Sequence, residues 1–117
     1  MLKFKDAVCL GPFFTAQLAM ALVITDQIYA SVGADECVVT SIHDSTHSAA
    51  SKHYLGRAAD IRSKDLTTDR KTTVLVRLKG RLSPLGFDVL LEDRDGPNEH
   101  FHVEWDPKEL PPAPVPA

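Results

Sequence analysis

The sequence points to an α+β domain in which helices pack on one face of a small, mostly antiparallel sheet. Three observations lead there. Two segments repeat apolar residues at helical spacing, four short stretches are β-branched or alternate with a period of two, and 117 residues make one ordinary core and not two. Residues 1–108 are expected to form that domain. Residues 109–117, which end in LPPAPVPA, are expected to be a disordered tail, because proline removes the donors that a helix or sheet needs.

The first helix requires a choice. From Ala7 to Ile24 the chain carries no charge, and Lys3 and Lys5 precede this run, as in a secretory leader. Gly11-Pro12 interrupts the run, however, and Leu18, Ala21, Leu22, Thr25, Ile28, Tyr29 and Val32 follow the i, i+3, i+4, i+7 stripe of an amphipathic helix. Thr15 can cap it and Gly33 can stop it. Losing this segment would also deprive a small domain of much of its core, so the reading is a retained core helix. The Gly-Pro pair and polar Gln17 argue against a membrane span.

After that helix, Glu36 to Ile42 is short and β-branched, a buried strand. Residues 43–56 are small, polar and without period, which is a loop. Arg57 to Arg62 alternates: Ala58, Asp60 and Arg62 share one face of a strand, and Ala59 and Ile61 share the other. Asp65, Thr67 and Thr68 offer caps for a second helix running to about Leu82, with Val74, Leu75, Leu78 and Leu82 inward. Ser83 to Gly86 ends it. Phe87 to Leu91 is a third strand, Asp93 to Asn98 a turn, and His100 to Trp105 a fourth strand.

Composition excludes some functions. A net charge of −3, from 13 basic and 16 acidic side chains, gives no basic footprint for nucleic acid. Cys9 and Cys37 lack the C-x-x-C spacing of a thiolate metal site or redox pair, and both read as buried free thiols.

The histidines carry the functional signal. All five (His43, His47, His53, His100 and His102) fall in two windows, one entering the strand that holds Asp60 and one opening the last strand. A carboxylate on a strand of small and apolar residues must be paired, hydrogen-bonded or metal-bound to offset its desolvation. Any one of these histidines alone reads as a loop residue or a hydrogen-bonded filler. The set with Asp60 reads as a site for a borderline divalent ion, Zn2+ first among them. On a regular strand His100 and His102 share a face, so both are candidate ligands and Glu99 points elsewhere.

The stretch Ser51-Lys52-His53-Tyr54-Leu55-Gly56-Arg57-Ala58-Ala59-Asp60, together with Glu99-His100-Phe101-His102, resembles the S-x-H-x-x-G-x-A-x-D and E-x-x-H elements of the M15 zinc peptidases. These are D-alanyl-D-alanine carboxypeptidases and dipeptidases, and L-alanyl-D-glutamate endopeptidases of phage lysis enzymes. His47 to Tyr54 also resembles the metal-binding region of Hedgehog signalling domains, which share that fold. The resemblance implies that His53, Asp60 and His102 bind zinc and that Glu99 is the general base. It leaves His100 behind the metal or against the substrate, with His47 the candidate donor to the oxyanion. Where many of these peptidases carry S-G-Y-R-S, this chain has Ser41-Ile42-His43-Asp44-Ser45, without the arginine. His43, His47 or Arg57 are left to replace it. Arg57 otherwise reads as a surface charge, and Ser51 as a substrate contact or a bond to its own loop.

The expected function is therefore hydrolysis of an amide bond in the peptide part of peptidoglycan, by a monomer made in the cytoplasm and reaching the wall after lysis or virion delivery. Neither nucleic acid nor a membrane span is expected. A catalytically silent zinc module that recruits a protein or cell-wall partner is the alternative. A non-haem iron oxygenase ranks below both, because it places its first histidine and carboxylate two apart, whereas His53 and Asp60 are separated by seven.

Overall fold

The computed structural model describes residues 1–6, 15–43 and 57–106. It contains β1 (Leu2–Phe4), α1 (Ala16–Ser31), β2 (Cys37–His43), β3 (Ala58–Arg62), α2 (Thr68–Leu82), a short 3-10 turn (Ser83–Leu85), β4 (Phe87–Glu92) and β5 (His100–Trp105). The strands form one mixed sheet in the order β1-β2-β3-β5-β4. The β1–β2 pair is parallel and the other three pairs are antiparallel.

Both helices begin where their caps place them. The Thr15 side chain accepts from the Leu18 N–H at 3.1 Å, and Thr67 accepts from Arg70 N–H at 3.3 Å. Gly33 and Gly86, at φ +81° and +92°, close the segments after α1 and after the 3-10 turn in a left-handed conformation that side chains resist. The stripe of α1 is buried from Leu18 through Tyr29, and α2 buries Val74, Leu78 and Leu82. These side chains meet Cys37, Val39, Ala59, Ile61, Phe87, Val89, Phe101 and Val103 from the sheet in one core. Tyr29 ties the layers together. Its ring meets Phe101 edge-on at 6.3 Å, and its hydroxyl donates to the Arg62 carbonyl at 2.6 Å.

Because strand side chains alternate, burying Ala59, Ile61, Phe101 and Val103 against the helices sends Asp60, His100, His102 and Glu104 to the opposite face. That alternation positions the site. The β2–β3 ladder also shifts register between Val39 and Ser41, leaving Thr40 as the extra residue beside Asp60; its hydroxyl donates to the Asp60 carbonyl at 3.3 Å.

Some expectations need correction. The sequence reading contains no strand at Leu2–Phe4, yet β1 pairs with β2 there. The third strand runs one residue further than expected, to Glu92. Arg57 is 4% exposed, not a surface charge, and its guanidinium lies 5.1 Å over the Trp105 ring. Cys37 is a free buried thiol, and burial pushes its pKa up to about 12. Cys9 and the Pro-rich tail lie outside the described residues.

Candidate metal centre

Three adjacent strands converge on one point. In register, Asp60 of β3 faces His102 of β5, and Glu92 of β4 faces His100 of β5. Asp60, Glu92, His100 and His102 each offer one ligand atom, and these atoms all lie within 4.8 Å of one another. Such a group is close enough to hold a metal ion.

The donor geometry fits a small divalent cation. A tetrahedral shell with donors about 2.0–2.1 Å from the ion has its donors about 3.3 Å apart. Here Asp60 Oδ1 lies 2.9 Å from His102 Nδ1 and 3.6 Å from His100 Nε2. Glu92 Oε1 lies 3.4 Å from His100 Nε2 and 3.5 Å from His102 Nδ1. The remote ring nitrogens are held as well. His100 Nδ1–H donates to the Asn98 carbonyl at 2.6 Å, which leaves Nε2 as its ligand atom. His102 Nε2–H donates at 3.1 Å to Glu104, which is 1% exposed, and Nδ1–H donates to Asp60 Oδ1 at 2.9 Å, so Nδ1 is the atom that would give up its proton to a cation. With carboxylates at both nitrogens, the His102 pKa rises to about 9; the bond to Asp60 is the main cause, burial opposes it and Glu104 adds to it. Comparison with profiles of known protein families, with curated proteins and with solved structures finds no match for this chain.

Of the residues singled out from sequence, Asp60, His100 and His102 come together here. His53, His47 and Ser51 lie outside the described residues. Glu99 does not join the group. Its Oε1 accepts from Ser63 Oγ at 2.6 Å and from Lys71 Nζ at 2.8 Å, and its Oε2 accepts from the Asp95 N–H at 2.8 Å. The expectation that Glu99 faces the metal as general base is corrected accordingly, since its carboxylate binds α2 and the β4–β5 turn. Arg57, placed among substrate contacts, is instead stacked on Trp105.

Glu92 is the residue that sequence reasoning missed. The signal was one position away. Extending the third strand from Leu91 to Glu92 sets Glu92 on the face of Asp88 and Leu90, directly across from His100.

Proposed function

We propose that the chain is a zinc-dependent peptidase acting on the peptide part of peptidoglycan, of the D-alanyl-D-alanine carboxypeptidase or L-alanyl-D-glutamate endopeptidase type. The observation that supports this reading is the convergence of Asp60, Glu92, His100 and His102, with the remote nitrogen of each imidazole held by a hydrogen bond to Asn98 or Glu104. Two of the residues that the zinc-peptidase motif assigns to the metal, Asp60 and His102, are in direct contact. The motif's other ligand, His53, completes the proposed set.

Zinc, when bound, supplies the Lewis acidity that polarises an amide carbonyl and makes a water easier to deprotonate near neutral pH. The chain's own residues supply the rest. Asp60 and His102 bind the ion, Glu104 orients His102, and Asn98 orients His100. Glu92 takes the proton from the attacking water and delivers it to the leaving amine. Its side chain is 45% exposed, against 22% for Asp60, 26% for His100 and 9% for His102, so its carboxylate is the one of the four most open to solvent and substrate.

One observation favours a second reading. Four side chains of this chain are enough to close a tetrahedral shell, and a closed shell is the mark of a structural site. A zinc module that recruits a protein or wall partner would be built that way.

The experiment is mass spectrometry of muropeptides incubated with the purified chain, with and without a chelator, alongside metal analysis. Zinc in equimolar amount, its loss in Asp60→Ala and His102→Ala, and a chelator-sensitive loss of alanine or release of stem peptide uphold the peptidase. Unchanged muropeptides from zinc-loaded protein leave the recruiting module, and a chain that takes up no zinc removes both.

A further inference from the structure

Beside the candidate metal centre lies a cavity of about 400 Å3, lined by Asp60, Glu99 and His100 together with Lys5, Arg62 and Lys64. That volume falls in the range of small-molecule sites, about 300–1,000 Å3. Its charge is the unusual feature. Among the described residues, Lys5, Arg62 and Lys64 take part in no ion pair, although carboxylates are close. Three of the acids around them are engaged elsewhere: Asp60 with His102, Glu99 with Lys71 and Ser63, and Glu36, which feels Arg62, with Lys3.

The three cations come from separate parts of the fold. Lys5 follows β1 and is held against β2 by its backbone N–H to the Val39 carbonyl at 2.9 Å, Arg62 ends β3, and Lys64 lies two residues beyond it. The β1–β2 pairing and the Thr40 bulge bring the first to the other two. Unpartnered cations around one hollow repel each other, and an anion placed among them relieves that repulsion while forming charge-assisted hydrogen bonds.

We infer that Lys5, Arg62 and Lys64 form a subsite for a free carboxylate of the peptide whose bond is presented to the metal centre; this rests on the peptidase reading. The spacing supports it. Asp60 and Arg62 are two positions apart on one face of β3, about 7 Å, which an extended peptide spans in about two residues. The carboxylate bound there lies one or two residues from the bond presented to the metal. In peptidoglycan peptides two groups meet that condition, the terminal carboxylate of D-alanyl-D-alanine and the α-carboxylate of a D-glutamate that is linked onward through its side chain. Recognition of either would take over the anchoring that the missing arginine would otherwise provide.

Calorimetric titration of the zinc-loaded chain tests this, using ketomethylene analogues (CO–CH2 for CO–NH) that cannot be hydrolysed. One pair is the D-alanyl-D-alanine analogue as acid and as terminal amide, and the other is the L-alanyl-D-glutamate analogue as α-acid and α-amide. The acid of one pair is expected to bind about tenfold tighter than its amide. In Arg62→Gln/Lys64→Gln the preference falls below about twofold, while Arg62→Lys retains it and the zinc content of both variants is unchanged. Equal binding of acid and amide in both pairs, or a preference that survives the double substitution, overturns the subsite. Turnover of the cleavable peptides is scored separately. A preference without hydrolysis upholds the subsite and removes the peptidase, and hydrolysis without a preference does the reverse.

Discussion

Glu99 and Glu92 both flank the last turn, and strand alternation separates their roles. Glu99 precedes His100 on the side of Phe101, which faces the helices, so its carboxylate reaches Lys71 of α2 and not the metal group. Burial alone would raise its pKa, but bonds from Lys71, Ser63 and the Asp95 N–H outweigh it and bring the value down to about 2. A carboxylate lowered from 4.5 stabilises the fold fully above that pH, and the contribution is lost as pH falls through about 2. Urea unfolding from pH 7 to pH 2 should therefore show a wild-type advantage over Glu99→Gln that is constant above about pH 5 and shrinks below it. A gap independent of pH would mean that the Glu99 carboxylate is not ionised in this network. Under the proposed peptidase reading the same two residues divide the chemistry. Glu99→Gln should keep both zinc and turnover, whereas Glu92→Gln should keep zinc and lose turnover by about 10²-fold or more, measured as kcat. The reverse result would restore Glu99 as the base that its motif implies.

The β4–β5 hairpin is the element that assembles the site. Asp93 and Asp95 adopt φ of 49° and 63°, in the left-handed region, and the Asp93 carboxylate accepts from the Asn98 N–H at 2.8 Å. Gly96 donates to the Asp93 carbonyl at 2.8 Å, and a Cβ on Gly96 would run into the Asp93 carboxylate. In Gly96→Ala that carboxylate must swing away and release Asn98, at a cost of roughly 1 kcal/mol, with weaker zinc binding as the Glu92–His100 register loosens. Chemical denaturation and a zinc titration measure the two effects; unaltered stability would show that the turn relaxes freely. The turn itself was legible in DRDGPN, as were both helices in their stripes and caps and β3 in its alternation. Three residues of β1 were not, because so short a run has no period, and its parallel pairing with β2 depends on the crossover through α1. Within the site, Asp60 stood out as a carboxylate on an otherwise apolar strand, and His100 with His102 as neighbours on one face. Glu92 looked like one more acid at the edge of a turn. Only the pairing of β4 with β5 gives it a role, and pairing partners are not written in local sequence.

At the scale of the whole molecule, one face of the sheet is held by apolar burial beneath α1 and α2, while the other gathers donors from β3, β4 and β5. These two supports are physically independent and should respond to different perturbations. Phe101 is fully buried, so Phe101→Ala removes core volume and should cost about 3–5 kcal/mol whether or not metal is present. A cation held by three strands binds the folded chain and finds no such arrangement in the unfolded one, so its effect follows mass action. At a thousand times its Kd it adds about 4 kcal/mol. For a domain of this size that raises Tm by roughly 10–20 °C. Thermal unfolding with excess zinc and with chelator should show this rise in the wild type and in Phe101→Ala, each from its own baseline, and should show none in His102→Ala. A wild-type Tm indifferent to zinc would mean that these side chains are a hydrogen-bonded polar cluster and that no ion ties the three strands together.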